Sequence, residues 1–126
     1  MISRFRGALV ISAFALNIGL AASPASAALD MVIAPSVTAT KPLSDCTTRA
    51  ESALKSAMQT VTEAGTGSGH WVGVTRMDGS VSATAVVECH PVDAGYRASF
   101  TCAVQVPPNA DTASALCSKI ATAFNA

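Results

Sequence analysis

The stretch from His70 to His90, HWVGVTRMDGSVSATAVVECH, decides the fold of this chain. At its centre, Asp78-Gly79 separates two runs of alternating apolar and polar residues. This dipeptide favours a two-residue type I′ turn, because both central positions of such a turn need a positive φ. The stretch is therefore predicted to be a β-hairpin in which Met77 faces Ser80.

The turn also fixes the predicted register of the hairpin, since the side chains of a strand point alternately to the two faces of the sheet. The buried face is expected to hold Val72, Val74, Val81, Ala83, Ala85, Val87 and Cys89. The outer face is expected to hold Trp71, Gly73, Thr75, Met77, Ser82, Thr84, Val86 and Glu88. In this register His70 lies on the buried face and His90 on the outer face, so the two imidazoles point to opposite sides.

Residues on both sides of the hairpin complete the predicted domain. Tyr96 to Val106 alternates again and adds a third antiparallel strand. Cys46 to Ala64 has apolar residues at helical spacing, with Gly65 as the terminating residue. A last helix is expected from Asn109 or Asp111, with one apolar stripe of Ala113, Leu116, Cys117, Ile120 and Phe124. The fold class is therefore α+β: a two-layer sandwich, a three-stranded antiparallel meander with two helices on one face, in the order α-β-β-β-α.

The N-terminal residues 1–27 have the three parts of a cleavable export signal. Arg4 and Arg6 precede an apolar run over residues 8–22, and small residues follow at Ala25-Ser26-Ala27. The apolar run is shorter than the roughly 20 residues that span a bilayer. We therefore expect cleavage after residue 27 and a secreted or periplasmic protein.

The rest of the chain has room for one small domain. An extended lead-in over residues 28–43 is expected to precede a single disulfide-stabilised α+β domain over residues 44–126. The lead-in contains an apolar cluster, which can add an edge strand or cover an exposed sheet face: Leu29, Met31, Val32 and Ile33.

The charge of the exported part excludes two classes of partner. The chain has 8 basic and 8 acidic residues, and removal of residues 1–27 takes two of the basic ones. The remainder is weakly acidic, whereas nucleic acids and anionic membranes require clustered Lys and Arg. We expect neither a nucleic-acid partner nor a membrane partner after the signal is removed.

Four cysteines each fall on the predicted apolar face of their own element, and two disulfides are the default in an oxidising compartment. Cys89 and Cys102 lie on neighbouring predicted strands, while Cys46 and Cys117 lie on the two predicted helices. Of the three possible connectivities, this placement favours Cys46–Cys117 with Cys89–Cys102. The Cys-x-x-Cys spacing of redox pairs and the paired spacings of zinc sites do not occur in the sequence.

The sequence contains no motif that fixes a reaction. Gly-x-Ser-x-Gly is absent, and His70 and His90, expected on opposite faces, do not readily share a metal ion. We therefore predict no catalytic residue, no metal ligand and no cofactor. The alternative is a small extracytoplasmic enzyme or metal-binding protein that uses His70 or His90.

The outer face of the predicted sheet is the most suggestive surface, because a lone tryptophan on a solvent face is unusual. Trp71 is expected to oppose Val86 near Met77, with Glu88 and Arg97 at the rim. Such a surface is typical of a site for a protein or a small ligand. In a second interpretation the lead-in, or a second copy of the chain in a homodimer, covers it. The sequence thus favours a binding or accessory protein without catalytic activity, whose partner is unknown.

Overall fold

The computed structural model describes residues 28–126, which form an antiparallel sheet covered on one face by helices. The strands are β1 (Ala28–Ala39), β2 (Thr60–Glu63), β3 (His70–Met77), β4 (Ser80–Val92) and β5 (Gly95–Val106). The helices are α1 (Leu43–Ala57) and α2 (Ala113–Asn125). The α+β class is confirmed, whereas the sheet in these residues has five strands, in the order β1-β5-β4-β3-β2, and not three. The predicted export signal lies outside the described residues.

The core lies between the sheet and the helices, because alternate residues of β4 and β5 face α1 and α2. The buried strand residues are Ala83, Ala85, Val87, Cys89, Tyr96, Ala98, Phe100, Cys102 and Val104. The predicted stripe of α2 is buried at Ala113, Cys117, Ile120 and Phe124. The ring of Phe124 packs edge-on against Phe100, with ring centroids 5.4 Å apart. The helix begins later than predicted, and Thr112 caps it by accepting a hydrogen bond from Ala115 N at 3.2 Å.

The predicted lead-in forms the edge strand β1, which is one of the two placements expected for its apolar cluster. It pairs antiparallel with β5 from Ala28↔Val106 onward, and a bulge interrupts the register between Ala34 and Val37. The side chain of Asp30 points to the helix side, where its carboxylate accepts a hydrogen bond from the backbone N–H of Ala113 at 2.8 Å. The first strand is thereby attached to the start of the last helix.

The prediction of one helix from Cys46 to Ala64 is wrong in its second half. The helix α1 ends at Ala57, and the following Met58 N–H donates to the carbonyl of Leu54 at 2.8 Å. Residues 60–63 form β2 and pair with β3. The run Thr-Val-Thr is β-branched and favours a strand, and the backbone groups of β3 provide hydrogen-bond partners that an isolated helical pattern does not reveal.

The predicted turn is confirmed, because Asp78 and Gly79 have φ values of 52° and 79° and Met77 pairs with Ser80. The register beyond the turn is wrong. A bulge between Thr75 and Arg76 shifts β4 by one residue, so that Thr75 pairs with Ala83. One extra residue in β4 exchanges the two faces of its partner strand.

As a result, β4 keeps its predicted buried residues from Ala83 to Cys89, whereas next to the turn Val81 is exposed and Ser82 is buried, contrary to the prediction. The strand β3 is inverted. Trp71, Gly73 and Thr75 pair with the inward-facing residues of β4, and His70, Val72 and Val74 lie on the opposite face. The glycine confirms the inversion, because a Cβ at this position would lie 2.6 Å from Met58 Cγ, at the end of α1. The end of α1 therefore lies close to β3 at Gly73, where no side chain separates the helix from the strand.

Both cysteine pairs differ from the predicted connectivity. The structure joins Cys46 to Cys89 and Cys102 to Cys117, each linking a helix to the sheet below it. The strand register opposes Cys89 to Ala98, which lies four residues before Cys102. Four residues of strand extend about 13 Å, whereas the Cα atoms of a disulfide are less than about 7 Å apart. The predicted strand-to-strand pair is therefore too far apart to form.

Candidate functional site

The sheet surface that faces away from α1 and α2, called here the outer sheet face, is the candidate site. Its middle consists of two cross-strand rows that contain no charged side chain. The rows run through Met31, Ala103, Thr84, Val74 and Thr60, and through Ile33, Thr101, Val86, Val72 and Thr62. No element of residues 28–126 covers these rows.

The structure separates the residues predicted to form a binding surface. Val86, Glu88 and Arg97 lie on the outer sheet face, because β4 and β5 alternate as expected. Trp71 does not, since the bulge places it on the helix side, where it packs partly buried against the core. Its Nε1 is buried and has no hydrogen-bond partner among the described residues. Met77 lies at the exposed end of the hairpin, next to the turn. The prediction that Trp71 lies on the outer sheet face is thus wrong.

The exposed apolar side chains of the outer sheet face belong to β1 and not to the tryptophan. Leu29, Met31 and Ile33, called here the β1 strip, alternate along the strand with solvent-exposed fractions of 65%, 61% and 76%. An open groove of about 430 Å³ lies along this strand and is lined by Met31, Val32, Ile33 and Thr101. The apolar cluster was visible in the sequence, but the side of the sheet on which its residues lie depends on the pairing with β5.

The β1 strip lies beside an unpaired strand edge. In the described sheet β1 and β2 are the two edge strands. The strand β2 has only 4 residues, whereas β1 has 12. A long edge presents a row of unpaired backbone N–H and C=O groups to a further strand. The site therefore combines apolar side chains with backbone hydrogen-bonding groups.

The two histidines converge, contrary to the prediction that they point to opposite sides. The bulge brings His70 to the outer sheet face, opposite Glu88 in the neighbouring strand. Its Nε2 lies 3.8 Å from Glu88 Oε1, and His90 Nε2 lies 3.2 Å from Glu88 Oε2. Arg97 lies opposite His90 in β5. These four residues, called here the polar end, close one end of the uncharged rows.

The polar end does not have the arrangement of a metal centre. Each imidazole lies near a different oxygen of Glu88, so the carboxylate lies between the two rings. Within residues 28–126, no group of three or more His, Cys, Asp or Glu side chains is placed to hold a metal ion. The chemistry that this cluster offers is hydrogen bonding and charge at the rim of an apolar surface.

A second polar cluster lies on the helix side and is structural. The Tyr96 hydroxyl donates to Asp45 Oδ2 at 2.8 Å, Arg49 Nε donates to the same oxygen at 3.0 Å, and Arg49 Nη1 donates to the Phe124 carbonyl at 2.9 Å. The hydrogen bond from Tyr96 lowers the pKa of Asp45, with a further contribution from Arg49. Burial, followed by the same hydrogen bond, raises the pKa of Tyr96. The cluster connects α1, β5 and α2.

Comparisons with known proteins found no similar protein that indicates a function. No family model matches the chain, and the comparisons with curated proteins and with solved structures found no match. None of the helices in the described part of the chain is long and apolar enough to cross a membrane. The outer sheet face is therefore interpreted from its own residues.

Proposed function

We propose that this chain is a small exported binding protein without catalytic activity that binds a polypeptide through its outer sheet face. The observation that carries this proposal is the exposure of the β1 strip beside the uncharged rows of the sheet. Single exposed apolar residues are ordinary on protein surfaces, whereas a contiguous patch is typical of an interaction site. The two disulfides are consistent with an oxidising compartment outside the cytoplasm.

The free energies of side-chain burial and of association indicate which parts of the surface a partner must contact. Full burial of one large aliphatic side chain contributes about 1.5–3 kcal/mol, so the three residues of the β1 strip, each about two-thirds exposed, offer about 3–6 kcal/mol. Association costs about 4–15 kcal/mol in lost translational and rotational freedom. The strip alone is therefore insufficient, and a partner must also use the neighbouring rows or the free backbone of β1.

The polar end gives the surface a direction. His70, Glu88, His90 and Arg97 lie together at one end of the uncharged rows, so a partner that lies across the face meets this cluster at that end. Charges at an interface rim contribute to specificity and to the rate of association more than to affinity. We propose that these side chains orient the partner.

The second candidate function is a small extracytoplasmic enzyme or metal-binding protein that uses His70 or His90. The approach of both imidazoles to Glu88 favours it. We rank it below the binding function because both rings lie beside the same carboxylate. In addition, no group of three or more His, Cys, Asp or Glu side chains among residues 28–126 is placed to hold a metal ion. A zinc titration, described in the Discussion, separates the two functions.

Photocrosslinking tests the proposed binding function. The photoreactive residue benzoylphenylalanine replaces Ile33 in one variant and the exposed Lys55 of α1 in a matched control. On irradiation of the producing cells, we expect a covalent polypeptide adduct from position 33 and none from position 55. Absence of an adduct from position 33, or equal yields from both positions, would contradict the proposal.

A further inference from the structure

We infer that the polypeptide bound by this chain is a second copy of it, joined at the β1 edge of the outer sheet face by antiparallel pairing of β1 with β1 of the copy. This inference rests on the proposed function and names its partner. It follows from the edge of the sheet, the sequence of β1 and the distribution of charge along it.

Apart from the charged Asp30, the first half of β1 lacks the features by which proteins block a free strand edge. Natural edges are protected by lysine, proline, bulges or short length. The segment Ala28–Ala34 pairs with β5 without interruption and contains neither lysine nor proline. Pro35 and the bulge before Val37 limit regular pairing to this segment. At the opposite edge of the described sheet, β2 is too short to offer an equivalent template.

The segment is complementary to itself. A two-fold axis through Met31 places Leu29 opposite Ile33 of the second copy and Met31 opposite its counterpart. Odd-numbered residues then meet odd-numbered residues, so the β1 strips of both copies lie on the same face and pack against each other. Both helical layers lie on the other face. The same patch serves both copies, as a closed two-fold dimer requires.

Charge does not oppose this pairing. Asp30 is the one charged residue of Ala28–Ala34, and the two-fold arrangement places it opposite Val32 of the second copy. Its carboxylate also points to the helix side and is engaged by the N–H of Ala113. Like charges therefore do not lie directly opposite each other across the new strand pair, a placement that destabilises sheets.

The contact area sets the expected strength. Seven paired residues extend about 24 Å, and a sheet is about 10 Å deep, which gives about 240 Å² of flat contact for each copy. Stable protein interfaces bury about 800 Å² for each partner. We therefore expect a weak dimer whose population depends on protein concentration, with a dissociation constant in the range of tens to hundreds of micromolar.

Sedimentation of the purified, oxidised chain tests the inference. Between about 10 μM and about 1 mM, we expect the mean mass to rise towards twice that of one chain. Met31→Lys places two like charges opposite each other and should give a monomer at all concentrations. Thr38→Lys is the matched control, because it lies on the same strand beyond the bulge, and it should associate like the unsubstituted chain. An equimolar mixture of Met31→Lys and Met31→Glu should restore the dimer.

Three results would overturn the inference: a monomer at the highest concentration, equal effects of the two lysine variants, or no association of the oppositely charged pair. The crosslinking experiment distinguishes this failure from that of the proposed function. An adduct from position 33 with a different polypeptide, in a chain that is itself monomeric, removes the second copy and leaves the binding function. Absence of both dimer and adduct removes both.

Discussion

Replacement of Gly73 by alanine tests the strand register on which the candidate site depends. In the structure Gly73 faces α1, and an added Cβ lies 2.6 Å from Met58 Cγ, 3.0 Å from Met58 Cβ and 3.2 Å from Leu54 Cδ2. These distances are shorter than ordinary carbon contacts of about 3.5–4.0 Å. The helix end must therefore shift, or the side chain of Met58 must leave its place.

The sign of the effect separates the observed register from the register derived from the turn alone. Overpacking of this kind costs about 1–3 kcal/mol, while replacing a glycine within a strand recovers about 0.5–1 kcal/mol. We expect a net loss of about 1–2 kcal/mol in the free energy of unfolding. If Gly73 faced solvent, as in the register without a bulge, no contact would oppose the substitution and the chain would gain about 0.5–1 kcal/mol.

Thermal unfolding followed by circular dichroism, with both disulfides intact, measures this difference. A domain of this size changes its Tm by about 4–8 °C for each kcal/mol, so a decrease of about 5–15 °C is expected. Ala103→Val adds carbon atoms on the outer sheet face and is the control, with a change within about 0.5 kcal/mol. In a Met58→Ala background, Gly73→Ala should cost less than in the original chain, because the contact with Met58 Cγ is absent. A Gly73→Ala variant as stable as the original chain would refute the observed register.

Three further predictions concern the disulfides, the polar cluster on the helix side and the histidines. Replacing Cys102 and Cys117 together by alanine opens a loop with a sequence separation of 15 and should cost about 3 kcal/mol in a urea titration; a loss below about 1 kcal/mol would contradict this. Because the hydrogen bond from Tyr96 lowers the pKa of Asp45 below 3.8, the charged carboxylate stabilises the fold above that pH, and this contribution disappears as the pH falls through the lowered pKa. Asp45→Asn should lack this acid-dependent loss, and parallel stability–pH curves of the two proteins would show the reasoning to be wrong. A zinc titration followed by histidine NMR signals should show no saturable site, whereas saturable binding abolished by His90→Ala would favour the alternative function.

The sequence was sufficient where local chemistry decides the structure. The turn at Asp78-Gly79 forms as predicted because its positive φ values are a local requirement. The alternation in β4 and β5 was also sufficient, so Val86, Glu88 and Arg97 lie on the expected face. Whether these three residues bind a partner stays a prediction.

The sequence was insufficient where a single inserted residue, or a partner strand elsewhere in the chain, determines the local structure. The bulge beside Thr75 has no strong local signal, yet it exchanges the faces of Trp71 and His70, and with them the two main expectations about the site. The strand β2 forms because β3 offers it a partner, although its residues also fit a helical stripe. The cysteines faced inward as expected, but their pairing depends on how far apart the strands place them, which alternation alone does not give.

The hydrogen bond between Asp30 and Ala113 has a consequence for the order of folding. The first strand of the described chain finds its sheet neighbour in β5 and its remaining polar partner at the last helix. Contacts between such distant parts of a sequence form late, because a long loop must close before they contribute. A chain synthesised N-terminus first would therefore leave β1 without these partners until its C-terminal residues are present, and a chain that ends before Ala113 would leave Asp30 without this donor and Cys102 without its sulfur partner.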